Sequence, residues 1–144
     1  MELASNLLRP QPTQRAKVCV VTPVDHAALQ WAEALMEYAR DWDRTFGNRE
    51  SYFTQEYWYL FVGCLLNDWR GTPLTVSDAC KIMRTGSNRT REARIKRAVL
   101  DGYLEKRRTE VDKRSAVVIP SARLEAAMRG HINRTMATMR SILR

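Results

Sequence analysis

Between Leu74 and Pro120 the periodicity of the chain switches from helical to alternating. That switch restricts the available folds more than any other feature. In "LTVSDACKIM" Thr75 can cap a helix, Asp78 three residues on completes a capping box, and Leu74 is placed to staple against Ala79. Val76, Ala79, Cys80 and Met83 give a helix of about ten residues one inner face. Thr85-Gly86 makes a tight turn, and Ser87 or Asn88 caps a second helix that runs to Asp101-Gly102. Two short helices joined by a glycine-containing turn of about three residues are the helix-turn-helix pattern. Beyond Gly102, "YLEKRR" and "SAVVIP" are strand-like runs around "TEVDK", so the motif ends in a β-hairpin that Pro120 stops.

Longer helices flank this unit. Thr22 can N-cap the first, with Pro23 in its first turn and Asp25 completing a capping box. Val24, Ala28, Trp31, Leu35, Tyr38 and Trp42 then recur at steps of four and three, a stripe wide enough for a partner chain to share. After Gly47-Asn48, Ser51 or Thr54 caps a second helix with Tyr57, Phe61, Cys64, Leu65 and Trp69 on its apolar face. Trp58, Leu60 and Leu66 broaden that face, so this helix is expected to be largely buried. Ser121 caps a last helix over 121–143, where Leu124, Met128, Ile132, Thr135, Met139 and Ile142 run close to a heptad and Gly130 is the weak point. The expected architecture is mainly α with a small β-hairpin wing (α+β): a winged helix-turn-helix over 54–120 between helices at 22–46 and 121–143. Residues 1–21 carry two prolines and no clear period and read as a flexible arm before a single domain spanning 22–144.

The 144 residues suit one domain, which usually has roughly 100–200 residues. No apolar run approaches the ~18 residues of a membrane span and no signal-peptide pattern opens the chain, so a cytoplasmic protein without a membrane partner is expected. Cys19, Cys64 and Cys80 are odd in number and widely spaced, which fits reduced thiols. The net charge of +8 is lopsided: residues 1–70 carry −2 and residues 71–144 carry +10. This points to a polyanion, nucleic acid before an anionic membrane, although a solvated basic surface gives the same count.

On a helical wheel of 87–101, Ile95, Ala98 and Val99 gather on the core side. Arg89, Thr90, Ala93 and Arg97 gather opposite, flanked by Arg94 and Lys96. A helix fits the major groove, where Arg can pair with guanine and where Thr and Ala can meet base edges or a thymine methyl. The N-terminal residues of such a helix usually reach bases. Arg89, Thr90 and Ala93 are therefore the candidates for base edges and Arg94, Lys96 and Arg97 those for phosphate, with Ser87 and Asn88 at the helix start counted among the DNA-binding residues. The stretch "RRTEVDKR" holds six charges in eight residues. Lys106, Arg107, Arg108, Lys113 and Arg114 can follow the backbone, and an Arg can enter the narrow minor groove. Asp112, two residues before Arg114, can hold that guanidinium by a bidentate pair. It can equally be an ordinary turn former.

The stretch "LTVSDACKIM…SNRTREARIKRAVLDGYLEKRRTEVDKRSAVVI" resembles the winged-helix core of MarR-type transcriptional regulators over about 74–120, and over 22–143 in helix order. The most specific matches are Asp112-Lys113-Arg114 followed by Ser115-Ala116, and the step Gly102-Tyr103-Leu104. The departures are Ile119-Pro120-Ser121 without a glycine at 124, and Ala98 where a large apolar residue is usual. The resemblance implies that Arg114 enters the minor groove, oriented by Asp112. It also implies a homodimer through the terminal helices, a pseudo-palindromic double-stranded operator, and in many members a small aromatic effector. Trp31, Tyr38, Trp58, Tyr59 and Trp69 could line an effector crevice, although core packing explains aromatics at helical spacing as well. Some members sense oxidants through an N-terminal thiolate, and Cys19 lies in that region.

An enzyme is not expected. His26 and His131 are the only histidines, and no zinc spacing, phosphate-binding glycine loop or nucleophile motif is present, so neither metal nor cofactor is implied. The competing readings are a winged-helix protein-interaction module and a non-specific architectural DNA-binding protein.

Overall fold

The computed structural model describes residues 23–47, 49–108, 110 and 115–143. The expected arm at 1–21, the Thr22 cap, Cys19 and the wing-tip residues Asp112, Lys113 and Arg114 lie outside the described residues. The elements are α1 (His26–Thr45), a 3-10 turn (Glu50–Tyr52), α2 (Gln55–Trp69), β1 (Leu74–Thr75), α3 (Val76–Met83), α4 (Asn88–Leu100), β2 (Leu104–Arg108), β3 (Ala116–Pro120) and α5 (Ala122–Ile142).

Capping chemistry sets most of these boundaries. Thr54, Thr75, Ser87 and Ser121 each accept a backbone N–H from three residues on, at the starts of α2, α3, α4 and α5. At α1 the capping residue is Asp25, whose carboxylate accepts from Ala28 N at 2.7 Å. Asp25 thus caps the helix instead of completing a box begun by Thr22. Both α2 and α4 end in a Schellman motif. Gly71 N and Thr72 N donate to Asp68 O and Asn67 O, while Gly102 N and Tyr103 N donate to Val99 O and Ala98 O. Gly71 and Gly102 sit at φ 74° and 79°, where a side chain would be strained. α3 is shorter than expected because Arg84 leaves the helix at φ 66°.

The sheet has three antiparallel strands in the order β1-β3-β2. β1 is an element that the sequence reading lacked. Leu74 and Thr75 pair with Val118 and Val117, which ties the start of α3 to the wing strand. Two residues are too few for a period to be visible. Pro120 lies within β3, opposite Leu104, where the missing N–H belongs at a strand end. The hairpin packs firmly, because Leu104 and Val118 are fully buried.

An aromatic cluster forms the centre of the core. Phe46, Tyr52, Phe61 and Tyr103 have ring centroids 5.3–6.1 Å apart, and Trp42 lies tilted against Phe46 at 4.6 Å. Leu60, Cys64, Leu65, Met83, Ile95, Leu124 and Met128 complete it. Trp69 and Leu66, expected on the buried face of α2, are exposed at its end, and Trp69 lies under the Arg129 guanidinium at 4.9 Å.

α1 and α5 pack against each other through a buried polar network. Asp41 Oδ2 accepts from His131 Nδ1 at 2.7 Å, and Arg134 donates to the same carboxylate from Nε at 2.9 Å and Nη2 at 3.2 Å. Burial pushes the Asp41 carboxyl up, but the hydrogen bonds from Arg134 and His131 and the Arg134 charge outweigh it and hold it below the usual range. Burial keeps the imidazole below its ordinary value despite Asp41. His131 is therefore neutral, with the proton on Nδ1. Its Nε2 is buried with no hydrogen-bond partner among the described residues. The sequence stripe on α1 is only partly internal. Trp42 is buried and Tyr38 half-buried, whereas Val24, Trp31 and Leu35 are 69%, 51% and 59% exposed.

Candidate nucleic-acid interface

α4 is anchored by one face and presents the other. Ile95 and Ala98 are fully buried and Val99 half-buried, while Arg89, Ala93, Lys96 and Arg97 are exposed. The exposed row ends in Leu100, a bare apolar side chain absent from the sequence reading. Asn88, Arg89 and Thr90 form the first turn, which contains no acidic residue, so the positive end of the helix faces solvent beside basic side chains. Ser87 Oγ accepts from Thr90 N at 3.2 Å and lies 3.1 Å from Thr90 Oγ1. The Thr90 hydroxyl is thereby held on the cap, with its methyl beside Gly86.

The turn between α3 and α4 is tightly constructed. Thr85 N donates to Met83 O at 2.8 Å, closing a γ-turn around Arg84 at φ 66°, ψ −34°. This conformation is strained for a side-chain-bearing residue and costs about 1–3 kcal/mol. Arg94 Nη1 donates to Thr85 O at 2.8 Å. Arg91 donates to Gly86 O from Nε at 3.0 Å and to Cys80 O from Nη1 at 3.2 Å. From α2, Glu56 Oε1 accepts from Thr85 Oγ1 at 2.7 Å, and this bond holds the Glu56 carboxyl below the usual range. Of the residues expected near phosphate, Lys96 and Arg97 thus project outward, whereas Arg94 is half-buried and turned back onto the turn. Arg91 and Glu56 were missed, although Arg91 carried a signal: it stands four before Ile95 and seven before Ala98, on the core side of the wheel.

In the wing, Lys106, Arg107 and Arg108 are exposed on β2, opposite Val118, Val117 and Ala116. Arg107 Nη2 donates to Glu105 Oε2 at 2.8 Å. β2 thus carries three cations out towards the tip, and the pairing expected between Asp112 and Arg114 lies beyond the described residues.

Between α1 and α2 lies an open cavity of about 280 Å³ lined by Tyr38, Trp42, Phe53, Thr54 and Trp58. Trp58 Nε1 donates to Tyr38 Oη at 2.6 Å across its wall. Of the five aromatics that could line an effector crevice or simply pack in the core, Tyr38 and Trp58 line this cavity. Tyr59 faces a separate hollow with Glu56 and Thr85, and Trp31 and Trp69 are exposed. Among the described residues no thiol lines the cavity: Cys64 and Cys80 are buried in the core, and burial pushes the Cys64 thiol up to about 12. Among the described residues no helix is long and apolar enough to cross a membrane.

No protein-family model and no curated protein matches the chain. Solved structures do match it. A transcriptional regulator from Thermotoga maritima superposes with a TM-score of 0.58 over 80% of this chain and 76% of that one, at 15% identity. AbsC, a MarR family transcriptional regulator from Streptomyces coelicolor, superposes at 0.51 over 85% and 82%, at 14% identity. At such identities the likeness is one of fold, and it agrees with five helices around a small three-stranded antiparallel sheet. The chain has the winged helix-turn-helix fold of MarR-type transcriptional regulators.

Proposed function

We propose that the chain is a sequence-specific double-stranded DNA-binding transcriptional regulator that acts as a homodimer. In this reading α4 enters the major groove, with Arg89, Thr90 and Ala93 at base edges and Lys96 and Arg97 on phosphate. The wing lies along the backbone, with Arg114 in the minor groove, oriented by Asp112, and Arg108 and Lys113 beside it. The observation that carries the proposal is the outward face of α4: a basic, acid-free first turn on a helix whose other face is locked into the core. Two fold neighbours that are transcriptional regulators lend further support.

The homodimer rests on apolar side chains that the single chain leaves bare on its terminal helices, Trp31, Leu35 and Met36 of α1 and Met136 of α5. With residues 22–144 as one domain and 54–120 as its DNA-reading unit, pairing through these helices places two copies of α4 on a pseudo-palindromic site. The α1–α2 cavity is near the lower end of small-ligand pockets, roughly 300–1,000 Å³, and its indole and phenol walls suit a flat aromatic effector.

Fluorescence anisotropy tests the reading, with a duplex from upstream of the chain's own gene, a scrambled duplex, and a series of salt concentrations. A preference for the native duplex of at least ~10³-fold supports specific regulation. Equal, weak binding to both refutes it and favours an architectural role, while no DNA binding favours a protein-interaction module. Arg114→Ala is expected to flatten the salt slope by about one unit. Sedimentation of only a 16.7 kDa species at micromolar concentration would refute the homodimer.

A further inference from the structure

We propose that Arg91, Arg94 and Glu56 are positioning residues that set where the first turn of α4 stands, and that they do not contact DNA themselves. The inference rests on the DNA-binding reading above and deepens it, because it separates the basic residues that touch the polyanion from those that aim the helix. The motif's turn is held in a conformation that Arg84 does not favour. The groups that hold it come from outside the turn. Arg94 takes the Thr85 carbonyl, Arg91 bridges the Gly86 carbonyl to Cys80 O in the last turn of α3, and Glu56 takes the Thr85 hydroxyl. Helical side chains lean towards their own N-terminus, so arginines four and seven residues into α4 are well placed to reach back over the turn. Tyr57 Oη donates to Arg94 O at 3.2 Å, which adds a second fastening between α2 and α4.

The consequence is geometric. Ser87, Asn88, Arg89 and Thr90 follow the turn directly, and a recognition surface must be held within ~0.5 Å of its productive geometry. The clamp gives α2, whose Gln55 and Trp58 line the aromatic cavity beside its cap Thr54, a direct handle on that surface through the adjacent Glu56.

The test compares the wild type with Arg94→Gln, Arg97→Gln, Thr85→Ser and Thr85→Val on the native and scrambled duplexes across salt. Loss of a positioning bond lowers discrimination between the duplexes without changing the number of phosphates neutralised. Arg94→Gln is expected to reduce the native-to-scrambled ratio about tenfold or more, the effect of one lost charge-assisted hydrogen bond, with an unaltered salt slope. Arg97→Gln is expected to flatten the slope by about one unit. Thr85→Ser keeps the hydroxyl and the wild-type ratio, and Thr85→Val loses it. If Arg94→Gln flattens the slope as Arg97→Gln does, or leaves the ratio unchanged, the proposal is overturned while the DNA-binding reading stands. Should Arg94→Gln fail to fold, Glu56→Ala, which removes the acceptor of the Thr85 hydroxyl, carries the same expectation. If the wild type discriminates between no duplexes, the DNA-binding reading itself falls. Amide exchange at residues 84–90 then decides the clamp: faster exchange in Arg94→Gln but not in Arg97→Gln keeps it, and equal exchange in the two overturns it.

Discussion

Replacing Asp41 by alanine isolates what the polar network between α1 and α5 contributes. Asp41 is 4% exposed, and its carboxylate is the acceptor for His131 Nδ1, for Arg134 Nε and for Arg134 Nη2. Removing it strands the Nδ1–H of a fully buried neutral ring whose other nitrogen already has no partner among the described residues. An unsatisfied buried donor costs about 1–3 kcal/mol. The Arg134 side chain is 56% exposed and regains water, so its lost bonds add no more than about 1 kcal/mol. The expected destabilisation is therefore about 1–4 kcal/mol. Urea unfolding followed by the fluorescence of the four tryptophans measures it, at one protein concentration for all variants because association would shift every midpoint. Arg134→Ala is expected to cost under about 1 kcal/mol. Asp41→Ala combined with His131→Leu is expected to recover at least about 1 kcal/mol, since leucine leaves no donor unpaired. The reasoning is refuted if Asp41→Ala lies within about 0.5 kcal/mol of wild type, the usual range of an ordinary surface change, or if Arg134→Ala costs as much as Asp41→Ala.

The same network predicts a two-step loss of stability in acid. Burial holds His131 below its ordinary 6.5, so the unfolded chain binds more protons there and stability falls as pH drops from about 6.5; Asp41, held below 3.8, adds a second loss beneath that value. His131→Leu should abolish the first step in urea midpoints taken between pH 7.5 and 5, and an unchanged profile would count against the assignment. Gly102→Ala should cost about 1–2 kcal/mol, because φ 79° is required for both bonds of the Schellman motif that turns α4 into β2; a neutral result in the same unfolding assay would contradict it. Cys64, buried and pushed up to about 12, and Cys80, also raised by burial, should resist alkylation at pH 8 in the native protein and react in urea, as peptide mass spectrometry would report. Labelling of either in the native state would refute the core placement.

What could be read from the sequence depended on whether the signal was local. The caps at Thr54, Thr75, Ser87 and Ser121 and the Ile95/Ala98 face of α4 follow from side chains acting within one or two turns, and the structure places them as expected. β1 was invisible because two residues have no period and pair with a strand more than forty positions away. Asp41 and His131 were invisible for a related reason. They are ninety residues apart, and a lone histidine on a helix does not announce that a buried carboxylate waits opposite it. Val24, Trp31 and Leu35 failed in the other direction: their spacing is that of a core face, yet they stay exposed although α5 runs beside α1 from Asp41, opposite His131, to Gln30, which donates to Ile142 O.

Helix α4 shows why charge counts alone mislead about a surface. Arg89, Arg91, Arg94 and Arg97 look equivalent in composition, and all four add to the +10 of the second half of the chain. On the helix they divide, with Arg89 and Arg97 facing solvent and Arg91 and Arg94 folded back onto carbonyls of the turn and of α3. The division follows from two rules acting together. Side chains on a helix lean towards its N-terminus, and an exposed turn carbonyl gains from a charged donor within reach. A strained turn beneath the first helical residues creates such carbonyls, and arginine reaches them while keeping its charge near the surface. Under the proposed function, a polyanion drawn to this half of the molecule therefore meets fewer outward-facing cations on α4 than the sequence counts. Its salt dependence should reflect the outward-facing residues of α4 and the wing rather than the total charge.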